Sequence, residues 1–552
     1  MCIGGMKMKK KMMMLMATTM SVAALAGCGN AGANPQANSA ETGENGLIPI
    51  TFVRQQDPMV ESNVFAHLKD QSYEDNVWTD LIADELGYDV LYSWIASSPD
   101  LYTQKFNAAI ASGDIPDVAI VDKANLKRLV EADLIVDLGP YIDQYASDYL
   151  KGLLEAGGDS AIKASMIDNV QYGLPFLDCD LEMAQILWLR QDWLDALNLE
   201  APKTIEELKT VLKAFMDYAG DQSVGLALSS DLYGNQFDIK GWCNAYGAYP
   251  QYWIDDGSGK LVYGSTAPEM KEALGSLAEL YAEGLVDPEF YVNDGQKANE
   301  ALVNGKCGAM YGFHASPLDY LQSVVNADEN ADWMPYMIPM AQAGEKVRPG
   351  IHMATGSWYV VSKKCEHPEA LVQMMNLYCE KVLDPELNEY EVYANPGNGA
   401  EGLWKLAPVN MSGPNKNQVT TKEISEHLKT QDPGDLNGEM YSMWDYCNKA
   451  LNGDKTYWGW NRVFGQNGSQ ELLMEYQSSD QVEIVHDQFL GAAGDVMTTK
   501  KTTLDDMLDE EIIKIISGQE SLDAFDTVVE EWKAAGGQDM TDEVNAWYEE
   551  NK

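Results

Sequence analysis

Three carboxylates and three aromatic clusters are the residues in this chain whose types and spacing could do chemistry. The stretch "FLDCDLE" places Asp178, Asp180 and Glu182 at alternate positions. They share one face if the segment is extended, because strand side chains repeat every two residues. Such a face could supply a carboxylate pair for glycosidic cleavage, or acceptors for sugar hydroxyl groups. "GWCNAYGAYPQYW" puts Trp242, Tyr246, Tyr249 and Tyr252 in a glycine-containing loop, "TYWGWNR" sets Trp458 and Trp460 beside Asn461 and Arg462, and "TGSWYV" adds Trp358. Flat rings with few rotatable bonds are what a pyranose ring stacks on. With 14 tryptophans and 28 tyrosines, the chain has more rings than a core needs. Trp188, alternating within a strand-like run, reads as core.

Other chemistries lack their residues. No G-x-S-x-G or H-E-x-x-H occurs and the six histidines are scattered, so nucleophilic and zinc catalysis have no support. "DDGSGK" at 255–260 has neither the acid spacing of an EF-hand nor the earlier glycine of a phosphate loop, and its Asp-Gly step signals a hairpin turn. Six cysteines (Cys179, Cys243, Cys307, Cys365, Cys379, Cys447) lie far apart with no C-x-x-C, which leaves both buried thiols and bridges open but no metal pair. No cofactor or metal is implied. The net charge of −48 repels nucleic acid and anionic lipid, and disfavours polyanionic substrates unless the site is locally basic.

These groups need a scaffold, and 552 residues leave room for about two to four domains or one large two-lobed body. "LIPITFV", ending at Arg54-Gln55-Gln56, and "PDVAIVD", ending at Asp122, read as strands; "FNAAIASGD" between them reads as a helix stopped by Gly113. This alternation predicts an α/β sheet that is mainly parallel. "MAQILWLRQDW" is strand-like, and "KTIEELKTVLKAFMDYAG" is a helix with a Thr204–Glu207 capping box. "APEMKEALGSLAELYAEGL", "TLDDMLDEEIIKIISG" and "SLDAFDTVVEEWKAAGG" carry further helical stripes.

The start of the chain reads separately. Lys7, Lys9, Lys10 and Lys11 precede an apolar run, Met12 to Ala26, shorter than the about 20 residues a membrane span needs. Its flanks are those of a secretory signal over residues 1–27. The step Leu25-Ala26-Gly27-Cys28 resembles the lipobox of bacterial lipoproteins. The resemblance implies cleavage before Cys28 and lipid on its sulfur and amine. Two or more acyl chains anchor stably, so the mature chain is expected on the extracytoplasmic face of the cell membrane. After Cys28, residues up to 46 lack any aromatic and read as a flexible linker, roughly 23 Å end to end by coil scaling.

The stretches "KFNAAIASGDIPDVAIVD", "YGLPF", "LWLRQDWLDALNLEAPKTIEEL", "LAELYAEGLVDPEF", "LVNGKCGAMYG" and "GSWYVVSKKCEHPEAL" follow one another over roughly residues 48–380. In that order they resemble the extracellular solute-binding proteins of ABC importers, in the maltose-binding-like, carbohydrate-handling branch. The end, "FDTVVEEWKAAGGQDMTDEVNAWY", is similar to the long-tailed lipoprotein subgroup. The resemblance implies an α/β, two-lobed periplasmic-binding-protein fold of class II type, with a hinge and an extended helical C-terminal region. Lobe 1 would take residues 47–176 plus about 313–353, and lobe 2 about 178–311 plus 354–552, with the division of 380–552 between the lobes left open.

It also implies a monomeric binder, not an enzyme, that delivers an oligosaccharide to the membrane subunits of an ABC permease. Lobe crossings would fall near Gly173–Asp178, Tyr311–His314 and Ile351–Ser357. Trp242 and Trp358 would stack on sugar rings; Gln55 and Asp122 from one lobe, and Asp178 and Asn244 from the other, would bond hydroxyl groups. Phe176, Tyr311, His314 and Trp460 complete the expected site. Two rivals stand beside this reading: an extracellular glycan-cleaving enzyme, and the same fold binding a peptide or other nutrient. The D-x-D-x-E of 178–182 is similar to that of chitinase-type glycosidases, but Pro175 and Phe176 stand where their Asp-Gly would be.

Overall fold

In the computed structural model, Gly43 and residues 45–551 are described, apart from 354, 397–399 and 401. The basic start, Cys28 and most of the linker lie outside the described residues.

The chain builds two lobes in four passes. The first contains β1 (Ile48–Gln55), α1 (Val77–Leu86), β2 (Tyr88–Ala96), α2 (Pro99–Ser112), β3 (Val118–Asp122) and α3 (Lys123–Glu131). It ends with α4 (Gly158–Lys163), the small hairpin β4 (Met166–Ile167) and β5 (Val170–Gln171), and β6 (Leu174–Pro175). Ser98 and a first-turn proline start α2, and Gly113 stops it at φ 66°, in the left-handed region that glycine enters freely.

The second pass contributes β7 (Ile186–Arg190), α5 (Ile205–Ala219), α6 (Lys240–Ala245), the hairpin β8 (Trp253–Asp255) and β9 (Leu261–Tyr263), α7 (Pro268–Ala282), β10 (Ala309–Gly312), β11 (Trp333–Tyr336) and β12 (Gly350–Ile351). The Thr204–Glu207 capping box forms at α5, and "DDGSGK" is the turn of the β8–β9 hairpin. The third pass is short: β13 (Ser357–Val361) and α8 (Glu369–Tyr378).

The fourth pass is largely helical: α9 (Lys416–Thr430), α10 (Gly438–Leu451), α11 (Trp458–Phe464), α12 (Ser469–Ser478), β14 (Val485–His486), α13 (Asp495–Ile516), α14 (Ala524–Trp532) and α15 (Gln538–Asn551).

Strand pairing decides which pass belongs to which lobe. β13, buried along almost all its length, lies between β3 and β6 and pairs antiparallel with both. Its Tyr359 and Val361, the α8 residues Leu371 and Met375, and Leu403–Met411 share a core with Ile50, Phe52 and Val90. In the other lobe, β7 lies between β10 and β11. Leu321, Val324 and Trp333 share a core with Trp188, and the helices α13 to α15 join the core built around α5 and α7.

The expected lobe boundaries are therefore corrected: residues 313–353 belong to lobe 2, and 357–411 to lobe 1. The apolar run "SWYVV" fills the gap between β3 and β6 and takes its ladder hydrogen bonds from both. The crossing expected at Tyr311–His314 does not occur there, since Tyr311 lies within β10. The third crossing comes at 411–416, after Met411 and before α9. The expected mainly parallel sheet is also corrected. β1 and β2 pair in parallel, but both three-stranded sheets are antiparallel because returning strands fill them.

The crossings run side by side. Phe176 N donates to Ser357 O at 3.0 Å, and Ser412 N donates to Leu177 O at 2.9 Å. Gly173 of "YGLPF" permits this approach: a Cβ there would stand 2.7 Å from Trp358 Cβ.

Candidate functional site

A cavity of ≈ 370 Å³ opens at the carboxyl ends of β1 and β3, where open α/β sheets bind ligands. Gln55, Asp122 and Phe176, three of the expected site residues, line it together with Tyr92, Tyr102, Ser357 and Asn410. Asp122 Oδ1 caps α3 by accepting Asn125 N at 2.8 Å. Among the described residues nothing bonds its Oδ2 or the side chains of Gln55, Ser357 and Asn410. Four polar groups with spare capacity thus converge beside the half-buried Phe176 ring.

The surrounding groups are fixed. Arg54 Nη1 donates to Tyr92 Oη and to Leu406 O, each at 3.1 Å, and its guanidinium stands 5.0 Å from the Tyr73 ring centroid. Tyr359 Oη donates to Asn410 O at 3.1 Å and accepts Asn410 N at 3.0 Å, which holds the Asn410 backbone at the rim. Tyr102 packs edge-on to Trp94 at 5.3 Å, and burial, with Asp122 nearby, pushes its hydroxyl up to about 12. It is a neutral donor and a flat face at any physiological pH.

A second, larger cavity of ≈ 870 Å³ lies on the other side of the β3–α3 corner and has walls from both lobes. Lys123, Leu126 and Met166 stand on the lobe 1 side; Phe489, Leu490 and Trp547 face them from lobe 2. Phe489 and Trp547 meet edge to face at 5.1 Å. Such an aromatic wall between two lobes suits a ring-shaped ligand.

The remaining expected site residues lie elsewhere. Trp242, Tyr311 and Trp358 are fully buried and offer no face to a ligand. Trp242 and Tyr311 belong to the α5–α7 core, and Tyr311 packs so tightly that a Cβ on Gly241 would reach to 2.2 Å of its ring. Trp358 Nε1 donates to Ala161 O at 3.1 Å. Asn244 is structural: Oδ1 accepts Gly350 N at 3.0 Å and Nδ2 donates to Ala248 O at 3.1 Å. Trp460 stacks on Phe464 at 6.2 Å in a satellite core with Tyr446.

Asp178 sits at the first crossing and His314, within lobe 2, beside the same polar network; neither lines either cavity. The carboxylate face expected over 178–182 is broken, because Asp180–Met183 forms a 3-10 turn. Glu182, buried, accepts Asn417 Nδ2 at 2.8 Å and Gln470 Nε2 at 2.9 Å on Oε1, and its Oε2 lies 3.3 Å from His314 Nε2. Burial raises the Asp178 pKa, partly offset by the Cys179 backbone N–H it accepts. Lys416, between Glu439 and this cluster, stays charged: Glu439 accepts it at 2.7 Å.

All six described cysteines are buried free thiols, which closes the alternative of bridges. Among the described residues no group of three or more His, Cys, Asp or Glu is arranged to hold a metal ion. No helix there is long and apolar enough to cross a membrane.

Sequence reasoning missed Tyr102, Ser357, Asn410, Lys123 and Trp547. Lys123 directly follows the predicted Asp122 and was within reach; Asn410 and Trp547 come from late segments whose position only the returning passes reveal.

Comparison with known proteins agrees with this architecture. Lipoprotein LipO of Bacillus subtilis (strain 168) is 23% identical over 478 residues, 84% of this chain and 87% of that protein. The fructooligosaccharide ABC transporter substrate-binding protein FusA of Streptococcus pneumoniae serotype 4 (strain ATCC BAA-334 / TIGR4) is 25% identical over 293 residues, 50% of this chain and 52% of that one. The crystal structure of an extracellular solute-binding protein from Bifidobacterium longum subsp. infantis superposes with a TM-score of 0.63 at 15% identity, covering 92% of this chain and 99% of that one. The profile described as bacterial extracellular solute-binding protein matches residues 70–378, more than half of the sequence. The chain belongs to the bacterial extracellular solute-binding protein family.

Proposed function

We propose that this protein, held to the outer face of the membrane through lipid on Cys28, captures an oligosaccharide between its lobes and delivers it to an ABC permease. The observation that carries this is the convergence of Gln55, Asp122, Ser357 and Asn410, all with unused hydrogen-bonding capacity, around Phe176 on lobe 1, across the β3–α3 corner from the cavity whose walls come from both lobes. Planar amides and a carboxylate match sugar hydroxyl groups, and an aromatic ring matches a pyranose face. Ligand contacts to both lobes would favour the closed population, the state the permease reads. FusA, named for fructooligosaccharide, supports a saccharide ligand.

A glycan-cleaving role finds less support. The carboxylates that could form an acid–base pair, Asp178 and Glu182, are held among His314, Asn417 and Gln470, away from both cavities. Thermal unfolding of residues 47–552 against a panel of oligosaccharides, with chromatography of each mixture, tests the proposal. A ligand at about 100 times its dissociation constant should stabilise the fold by about 2.7 kcal/mol. A shift with the sugar intact supports capture; a shift with cleavage products supports the enzyme; no shift with any sugar removes carbohydrate and brings peptides forward.

A further inference from the structure

We propose that Arg54 is a positioning residue of the lobe 1 cavity: it holds Asn410 and the Tyr92 hydroxyl where a ligand meets them, and so sets affinity through groups other than its own. This rests on the capture reading above and adds a residue to its machinery.

Ala407, Pro408 and Asn410 form one stretch of the cavity wall, and Pro408 has no N–H with which to tie that stretch to a strand. A 3-10 turn, Leu403–Leu406, leads into it. The last carbonyls of such a turn have no partner within it. Arg54, half-buried at the end of β1, takes two of them: Nη1 donates to Leu406 O at 3.1 Å, and Nη2 donates to Lys405 O. At the far end of the stretch, Tyr359 Oη bonds both the N–H and the carbonyl of Asn410. The wall is therefore pinned at both ends, and the Asn410 amide projects from the pinned span.

The same guanidinium orients a second lining group. Nη1 also donates to Tyr92 Oη at 3.1 Å, which fills an acceptor position of the phenol and leaves its proton to be donated to a ligand. The packing around Arg54 closes on itself. Its guanidinium stands 5.0 Å from the Tyr73 ring centroid and 5.9 Å from that of Tyr92. Tyr73 Oη accepts Asp57 N at 2.9 Å, and Asp57 Oδ2 accepts Lys405 Nζ at 2.9 Å. A circuit thus runs from Arg54 through Tyr73, Asp57 and Lys405 back to Arg54, tying the end of β1 to the wall from two directions. Lysine cannot close it, because an ammonium is a single point, whereas the planar fork meets two successive carbonyls and a phenol at once.

The test is a double-mutant cycle read by titration calorimetry. The probes are kestose, maltotriose, xylotriose and galactotriose, and the one that the unmodified protein binds most tightly is used throughout. Asn410→Ala and Arg54→Lys should each weaken binding about tenfold, the size of one or two lost hydrogen bonds. The double variant should bind within about twofold of Arg54→Lys alone, because the Asn410 amide is already out of place. A purely structural role for Arg54 would lower the denaturation midpoint and the fraction able to bind, yet leave the full penalty of Asn410→Ala in the folded remainder. Losses that multiply to about a hundredfold in the double variant, or unchanged affinity in either single variant, overturn the inference and leave saccharide capture standing. Absence of binding by all four probes in the unmodified protein overturns both. If Arg54→Lys does not fold, Arg54→Gln, which keeps a planar donor, takes its place in the cycle.

Discussion

His314 Nε2 lies 3.3 Å from Glu182 Oε2, while His314 Nδ1 faces the Gln470 amide nitrogen at 3.0 Å. Gln470 can donate only if Nδ1 is bare, so the ring proton sits on Nε2 and points at Glu182. Burial lowers the His314 pKa, against the opposing pull of Glu182 and Asp178, and keeps this ring neutral. The arrangement joins the first crossing to α9 and α12.

A depressed histidine pKa means the unfolded chain binds the proton more readily, so stability should be lost as pH falls through about 6.5 and below. Asp178, raised by burial, acts with the opposite sign at lower pH. The melting temperature at pH 7.5 minus that at pH 5.5 should therefore be more positive in the unmodified protein than in His314→Gln, whatever opposing contribution other groups make. Equal differences would remove His314 as the source.

Asp122 serves two purposes that substitutions can separate. Asparagine also caps helices, so Asp122→Asn should leave stability nearly unchanged, whereas Asp122→Ala should lose about 1 kcal/mol. If Oδ2 accepts a ligand hydroxyl, both variants should bind saccharide about tenfold more weakly. Urea unfolding beside titration calorimetry distinguishes the two effects. Unchanged affinity in Asp122→Asn would take Asp122 out of the binding set.

Phe176 and Trp242 should behave oppositely. Trp242→Ala removes a fully buried indole and should destabilise by about 3–5 kcal/mol, with near-normal affinity in whatever folds. Phe176→Ala should weaken saccharide binding while the denaturation midpoint moves little. A Trp242→Ala protein of normal stability but lost affinity would reverse the assignment.

Asp509 on α13 gives a second pH effect. Burial first, then the neighbouring Asp505 carboxylate, pushes its pKa up to about 7. The folded state holds this proton where the unfolded chain has released it, so stability is full below about pH 4 and declines as pH rises through 7. Asp509→Asn should flatten the decline between pH 5 and 8, measured by denaturant midpoint. A slope equal to that of the unmodified protein would contradict it.

Much of this molecule is legible in its residues, and the failures have a common cause. Thr204 with Glu207, Pro268, Ser98 and Gly113 act within a turn or two of themselves, so their helices could be placed without knowing the fold. Gln55, Asp122 and Phe176 end strands or begin a crossing, and that position alone puts them at the cavity. Trp242 and Trp358 look like ligand rings in a glycine-rich or crossing context, but burial depends on partners far along the chain: Tyr311 and the α5–α7 core for one, Ala161 for the other. The lobe of residues 357–411 depends on whether β13 joins β3 or β7, a choice between two apolar neighbours that no local pattern contains.

The placement of β13 between β3 and β6 has a consequence for how the protein comes into being. A chain emerging amino end first presents β3 and β6 on the far side of the membrane long before their shared neighbour. Until residue 361 has followed, the first lobe is a sheet with a missing middle, and its open strand edges invite pairing with other chains. Stopping synthesis just short of β13 would yield no smaller working unit, because neither lobe is one uninterrupted stretch of sequence. The lobe that begins first in the sequence finishes folding only after most of the other lobe has been made.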